Sequence, residues 1–392
     1  ASNNLNLYAA IRGNHLYAAT QDAGEGNDHF LYLASTAGGA TAVNWAKAGT
    51  VMTWSAFLAD ENSGAFQGWF DAAQAQATDP ATYRSMTPGL NNNGTNGNGV
   101  LEGTLHVPNH FGGWPTQLLF AAAPFGDADG GALVSSAQVP AGNGNGNIEA
   151  AEFLALNPRD LALDLPSAAA GGDQSVEAGM WAILDGTSSS SPISFPLTFA
   201  WSQVSGPAVL AANTNLGVAA ITPSANVASN TPVTFRLVVN DGRFDSDEDL
   251  VTVTFSPMID SDGDGLSDNE ETTGWDNILT AANPGGQITN PNDADSDDDL
   301  VSDGEEALAG TDPNNTGSSF RLLSGRPSMI SGVEIDWSTI SGRQYEVYFA
   351  SETVTSPWQS MATFTATTGV TRTTDTNASD ASLRIYRIGA MQ

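Results

Sequence analysis

The sequence predicts a mainly β, multidomain protein in which β-sandwiches are joined by a loop-rich acidic connector. Three observations predict it. Short runs of alternating apolar and polar residues recur along the 392 residues, bounded by turn signals. Gly (41) and Pro (19) are plentiful, as are Asn, Ser and Thr, which favours short strands and turns over long helices. Charge is uneven: 258–317 holds 16 Asp and Glu and no Lys or Arg, half of the net −32. A chain of this length suits two to four domains.

Residues 1–165 read as the first domain. Leu5, Leu7, Ala9 and Ile11 alternate with polar neighbours, and Gly13-Asn14 leads into a second apolar run at 15–20, which together predict a hairpin. Further strands are expected at 29–34, 50–58, 64–70, 99–107 and 117–122, with an Asn/Gly loop at 90–99 and a short helix at 148–156. The stretch 16–30 resembles a sandwich domain found beside catalytic domains in secreted amylase-like bacterial proteins. That resemblance implies a binding or spacer role. Asp22, Glu25 and Asp28 either hold an ion or form a polar hairpin loop. The loop Asn143, Asn145, Gly146, Asn147, Ile148, Glu149, Glu152 has the outline of a cation loop running into a helix. Ala141 at its first position cannot ligate, so an ordinary helix-capping loop is the alternative.

Residues 166–257 carry strand runs at 175–177, 181–185, 197–203, 218–222, 233–240 and 250–255, spaced as in a β-sandwich. The segments GDQSV from Gly172, LDG from Leu184, WSQVSGP from Trp201 and VNDG from Val239 resemble immunoglobulin-like repeats of the polycystic-kidney-disease (PKD) type. The resemblance implies a spacer or adhesion module with Trp201 as its core tryptophan. Residues 318–392 form a last β domain, with strands at 332–337, 344–350, 361–365 and 383–388 and six acids balanced by six bases. SGRQYEVY from Ser341 resembles a fibronectin-like C-terminal module of secreted bacterial proteins.

The chemistry lies in 258–317. DSDGDGLSDNEE begins at Asp260, and DSDDDLVSDGEE begins at Asp295. Calcium takes six to eight hard oxygen ligands, and carboxylates at loop positions 1, 3 and 5 wrap them about one point. The first loop offers Asp260, Asp262, Asp264, the Leu266 carbonyl, Asp268 and Glu271, with Gly265 at the sharp turn. The second offers Asp295, Asp297, Asp299, the Val301 carbonyl, Asp303 and Glu306. There Leu300 stands where glycine is wanted, so that loop must turn differently or carry strain. The two copies, with Thr289-Asn290-Pro291 and Thr311-Asp312-Pro313, resemble bacterial thrombospondin type 3 repeats over 260–313. The resemblance implies Ca2+ as cofactor and a ligating role for Asp312, with Asn290 matching only as an amide. Between the loops, Trp275, Ile278 and Leu279 are expected to make a small local core.

Other chemistries are excluded or unsupported. No cysteine is present, so disulfides, zinc–thiolate sites and cysteine nucleophiles are ruled out. The net charge, with Lys47 the sole lysine, argues against nucleic acid and anionic lipid. No run of about 18 apolar residues predicts a membrane span. The small polar stretch from Ala1 is compatible with the start of a mature chain after signal cleavage, and export is expected on that reading. His106 and His110 are spaced HxxxH, but Pro108 argues against a helix there and so against a zinc pair. No nucleophile elbow, phosphate loop or dinucleotide fingerprint occurs. Trp45, Trp54, Trp69 and Trp114 either line a sugar platform or sit in the core.

These readings lead to a non-enzymatic, calcium-stabilised structural or adhesive protein, extracellular or at the cell surface. It is expected as a homo-oligomer or homopolymer, a filament or layer, because the alternating 3–11 stretch can pair with a neighbour's sheet edge. The alternative is a carbohydrate-binding accessory protein of a secreted polysaccharide-processing system, with polysaccharide as partner.

Overall fold

Period-two alternation becomes strands throughout this computed structural model, which describes residues 5–21, 27–61, 67–85, 101–280, 283, 285–319, 321–327, 332–351, 357–378 and 384–391. The loop expected at 90–99, together with Asp22 and Glu25, lies outside the described residues. The chain divides into two compact units. One comprises Ala1–Ala169, Ser189–Phe199 and Val238–Glu248; the other comprises Ala170–Ser188, Ala200–Leu237 and Asp249–Gln392.

In the first unit, β1 (Asn6–Arg12), β2 (His15–Gln21), β9 (Leu101–His106) and β8 (Tyr83–Ser85) make a sheet ordered β1-β2-β9-β8. Gly13, at φ 58°, turns the β1–β2 hairpin, a conformation that glycine adopts without a Cβ penalty. A second sheet runs β11 (Leu154–Leu156), β10 (Leu118–Gly126), β3 (Asn27–Ala34), β6 (Ala56–Asp60), β7 (Gln67–Asp71). β4 (Ala40–Ala42) and β5 (Thr50–Met52) pair as a small ribbon. Apolar side chains on both faces bury β3, which therefore reads as a continuous hydrophobic run. One core holds Ile11, Leu16, Leu33, Leu58, Trp69 and Leu105; another holds Phe30, Tyr32, Trp54, Phe57 and Phe70. Trp54 and Trp69 are thus core residues, while Trp45 and Trp114 pack partly buried against the two cores.

Two local expectations are corrected. Residues 148–156 are not a helix: a single 3-10 turn, Ala150–Glu152, leads into β11. Glu149 and Glu152 close that turn reciprocally as a capping box, and Leu154–Leu156 gains a ladder partner in β10. Conversely, Pro108 does not prevent a helix. It occupies the first turn of α1 (Val107–Phe111), where its missing N–H has no intrahelical partner to lose.

The first unit also contains an ion cluster drawn from positions far apart in sequence. Arg243 is buried, and its guanidinium meets Asp164 Oδ1 at 3.2 Å and Asp241 Oδ2 at 2.8 Å. It also donates to the Gly13 carbonyl at 2.7 Å and the Asp164 carbonyl at 2.9 Å. Asp164 Oδ2 accepts the Gly13 N–H at 2.7 Å.

The second part of the chain is again built from paired sheets. β12 (Gln174–Glu177), β18 (Asp249–Ser256), β17 (Thr231–Asn240) and β14 (Thr198–Ser205) form one sheet; β13 (Ala182–Asp185), β16 (Val218–Pro223) and β15 (Val209–Ala212) form another. Val233, Phe235, Leu237, Val251, Val253 and Phe255 alternate inward along β17 and β18. Trp201 is buried as expected, and its indole donates to the Leu216 carbonyl at 3.1 Å. The last sheets are β19 (Leu322–Pro327), β20 (Val333–Ser338), β23 (Val370–Asp375) and β22 (Gln359–Thr365), β21 (Gln344–Ser351), β24 (Arg384–Met391). Ile335, Trp337, Tyr345 and Val347 form their core. The fold is therefore mainly β, in multiple sandwich-like sheets, as the composition predicts.

Candidate metal centre

Each acidic loop ends in a short helix, α2 (Asp268–Thr273) after the first and α3 (Asp303–Ala309) after the second. Ser267 and Ser302 cap them, accepting the N–H of Glu270 and Glu305, and Gly274 and Gly310 end them in the left-handed region. The caps fix where each loop stops. Position 12, Glu271 or Glu306, thereby lands in the first turn of its helix, beside the loop it follows.

The loops share most of their bonds, differing in that Asp260 accepts from position 4 where Asp295 accepts from position 5. Asp260 accepts the N–H groups of Gly263 at 2.7 Å and Gly265 at 3.2 Å, and Asp264 accepts that of Leu266 at 2.8 Å. Asp295 accepts those of Asp299 at 3.0 Å and Leu300 at 2.7 Å, and Asp299 accepts that of Val301 at 3.1 Å. In each loop one oxygen from all three aspartates, Asp260/Asp262/Asp264 and Asp295/Asp297/Asp299, lies within 4.8 Å of the others. Three carboxylates drawn so close repel one another unless a cation compensates them.

Unpartnered buried oxygens sharpen the point. Among the described residues, Asp262 Oδ2, Glu271 Oε2, Asp297 Oδ2, Asp299 Oδ2 and both carboxylate oxygens of Glu306 are buried with no hydrogen-bond partner. Glu270, the neighbour of Glu271, is the internal control. It is equally buried, yet it accepts from the Ser267 N–H and hydroxyl at 3.0 Å each, from the Asn277 N–H at 2.9 Å and from the Thr280 hydroxyl. Burial with few donors leaves a mark on acidity. Burial first, then the charges of Asp262, Asp264 and Asp303, pushes Glu271 up to about 7, although its other oxygen accepts from Thr289. Burial first, then Asp299, Asp297 and Asp303, pushes Glu306 up to about 7. The Thr311 hydroxyl, which also donates to the Glu306 backbone carbonyl at 3.5 Å, offsets part of this. Burial also leads in raising Asp264 to about 6. The donor set is all oxygen, with a carboxylate at positions 1, 3, 5 and 12, and it suits a hard divalent cation.

Position 9 has another job than the loop pattern implies. Asp268 accepts the Ser261 N–H and hydroxyl, each at 2.8 Å, and Asp303 accepts those of Ser296 at 2.9 and 2.6 Å. Both oxygens of each carboxylate staple the loop shut. Asp312 lies outside both three-aspartate groups, and its Oδ1 accepts the N–H of Asn314 at 3.2 Å. Sequence reading overlooked the serines at position 2, although both copies carry them. It also overlooked Gly304, whose N–H donates to Asp264 Oδ2 of the other loop at 2.7 Å. A Cβ on Gly304 would stand 2.3 Å from the Asp264 carbonyl oxygen, so the contact between the loops requires glycine there.

The expected local core at Trp275, Ile278 and Leu279 does not form. Trp275 is 72% and Ile278 47% exposed; the polar Asn277 is buried between them. Its amide donates to the Ala178 carbonyl at 3.0 Å while its backbone donates to Glu270, so hydrogen bonds decide which residue goes inside.

Leu300 resolves the question its sequence position raised. It adopts φ 76°, as Gly265 adopts φ 101°, so the second loop turns as the first does, with a side chain that strains there. The side chain is 94% exposed and packs on nothing. Leu300→Gly is therefore expected to stabilise the second loop by about 1 kcal/mol. Thermal denaturation of the calcium-loaded variant should show a higher melting temperature.

Other candidates have protein partners. Asp28 pairs with Lys47 at 2.6 Å in full burial. In the 143–152 loop, the Asn143 and Asn145 amides donate to Glu149, and Glu152 accepts the Asn143 N–H at 2.6 Å, so the carboxylates meet donors and the capping reading describes the loop. His106 Nδ1 accepts the Asn109 N–H, while His110 Nδ1 meets Tyr83 Oη at 2.7 Å, so the two rings serve separate partners.

α3 is held from its far end as well. Arg343 donates to the Leu308 carbonyl at 3.0 Å, and Tyr345 Oη donates to that of Ala309 at 3.2 Å.

No curated protein matches the chain. Among solved structures it is similar to a nucleoside hydrolase-related protein from Saccharophagus degradans associated with carbohydrate metabolism, at 19% identity over 24% of this chain and 26% of that one, TM-score 0.21. The chain thus spans about a quarter of that protein's length. It is similar also to the PKD domain from the KIAA 1837 protein, at 24% identity over 23% of this chain and 85% of that one, TM-score 0.19. The BSP domain of a biofilm associated protein aligns at 10% identity over 99% of this chain and 81% of that one, TM-score 0.19. Among the described residues no helix is long and apolar enough to cross a membrane. One family model, that of a PKD domain, matches residues 170–255, and that stretch is accordingly a PKD-type domain.

Proposed function

We propose that this chain is a non-enzymatic extracellular accessory protein whose connector is set by two calcium ions. The observation that supports the reading is the buried, unpartnered oxygens of Glu271 and Glu306, each within the field of aspartates from a converging group of three. One ion would be held by Asp260, Asp262, Asp264, the Leu266 carbonyl and Glu271, and the other by Asp295, Asp297, Asp299, the Val301 carbonyl and Glu306. Asp268 and Asp303 would reach their ions through water, since each already holds a serine. When bound, the ions supply positive charge where the segment has no basic residue. The loops then work as thrombospondin type 3-like repeats beside a PKD-type spacer. Calorimetry tests this: two ions should bind per chain, at roughly 10⁻⁴ to 10⁻³ M as in extracellular modules. Glu271→Gln and Glu306→Gln should each remove one of them. A chain that binds no calcium, or variants that still bind two, would overturn the reading.

Protons should compete with the ions. In calcium-free protein, Glu271 and Glu306 at about 7 and Asp264 at about 6 lie above their unfolded values. Their contribution to stability is full below the unfolded carboxylate pKa and is lost as pH rises through 6 to 7. Calcium-free protein should thus melt higher at pH 5 than at pH 8. The calcium-loaded protein should show the opposite order, because the ions need ionised ligands. Melting curves at the two pH values, with and without calcium, measure this.

Homotypic assembly is a second element of the proposal, and the position of β1 favours it. β1 stands at the edge of its sheet, with β2 on one side and, on the other, a single bridge from Ile11 to Ala162. Sedimentation in calcium should show species larger than the monomer.

A further inference from the structure

The outer face of the first sheet presents two tyrosines that its core does not use. Tyr8 on β1 and Tyr17 on β2 are 52% and 41% exposed. In the β1–β2 register Tyr8 partners Ala19 and Tyr17 partners Ala10. The two residues therefore stand at opposite corners of a four-residue patch, about 7–8 Å apart along its diagonal at the backbone, and alanines fill the other corners. Ala19 in turn partners Glu102 on β9, which places a carboxylate at the end of the Tyr8 row. Between the rings lies an open groove of about 440 Å³, lined by the two tyrosines, small residues and Glu102. That volume falls within the range of about 300–1,000 Å³ typical of small-ligand sites.

We propose that this groove binds a neutral glycan. A pyranose ring has an apolar C–H face and a rim of hydroxyls. Exposed tyrosine rings with an alanine floor match the face; the tyrosine hydroxyls, of which that of Tyr8 also donates to Gln21 Oε1 at 3.4 Å, match the rim. The groove crosses the strands on the sheet's face, where backbone groups are already paired in the β1–β2 and β2–β9 ladders. An extended peptide would find no ladder to join there; it would pair at an edge. Charge selects among glycans. Among the described residues of the lining Glu102 is the one ionised group, and the chain carries −32, so carboxylated or sulfated polymers are repelled. Arg84, in the next row beyond Thr104, lies outside the lining.

Affinity electrophoresis of the full chain in calcium tests the assignment, using gels loaded separately with soluble β-glucan, xylan, mannan and the acidic polymer alginate. At least one neutral polymer should retard the chain. Tyr8→Ala and Tyr17→Ala should each weaken that retardation about tenfold or more, the effect of a central aromatic anchor, while Tyr8→Phe keeps most of it. Both rings are exposed, so the alanine variants should melt as the parent does. No retardation by any neutral polymer overturns the proposal, as does equal retardation of parent and alanine variants. Retardation by alginate alone overturns it too. Concentration-dependent self-association lost in Tyr17→Ala would assign the face to a second copy of the chain instead.

Discussion

Calcium removal is expected to open residues 258–317 to protease while the flanking β domains stay resistant. The segment carries 16 acids and no base, so its folded form concentrates like charge. Its helices cannot hold it alone: α2 has six residues and α3 seven, well short of what is stable in isolation. Its hydrogen bonds are largely Asx-type loop closures and serine staples, which order the loop only once its carboxylates are drawn together. Without a cation those carboxylates repel, and the stretch has the composition of a disordered chain. Limited proteolysis in excess chelator should therefore give early cuts between Met258 and Gly317, and added calcium should suppress them. An identical cleavage pattern with and without chelator would show that the loops hold without an ion. Gly304 adds a finer expectation: since its N–H holds Asp264, loss of the second ion should loosen the first loop as well.

The second large effect is expected at Arg243. Arg243→Ala should destabilise the first unit by about 3–5 kcal/mol, because it strands two buried carboxylates and two carbonyls. Burial alone would raise the Asp241 carboxyl. The Arg243 hydrogen bond, helped by the N–H groups of Phe244 and Arg243, outweighs burial and leaves it below the usual carboxylate range. Removing the guanidinium reverses that balance. Arg243→Lys should restore only part of the loss, since an ammonium cannot fork across Asp164 and Asp241 while also reaching the Gly13 carbonyl. Chemical denaturation of both variants in calcium measures the difference. A shift below about 1 kcal/mol for Arg243→Ala would mean that the cluster is bystander chemistry.

Local pattern made the strands and the acidic loops legible. Period-two alternation marks 233–240 and 344–350, and an unbroken apolar run marks 29–34; each became a strand within a few residues of its expected ends. Carboxylates at alternate positions followed by a turn and a serine cap need no distant residue to define them. What the sequence hid is non-local. β19, β23 and β15 carry Gly, Pro or Thr-rich polar runs or a short apolar stretch, and are strands because a neighbour completes their ladder. Residues 148–156 have helical composition, yet a ladder with β10 outweighs propensity. Arg243 meets Gly13 across 230 residues, and Gly304 meets Asp264 across 40; nothing near any of these positions announces the contact. The tyrosine pair was invisible for the same reason, since it exists only in the register of three strands.

The grip of Arg343 and Tyr345 on the last carbonyls of α3 has a mechanical meaning. The two side chains flank Gln344 at the start of β21, so they belong to the sheet that the last domain pulls on. A tug on that domain arrives at one end of α3, and the acidic loop resists from the other. Three hydrogen bonds form the upper attachment, and the lower one is as strong as whatever holds Glu306 and Asp303 in place. If an ion occupies that loop, the segment leading into the last domain is expected to act as a stay; without one, as slack line.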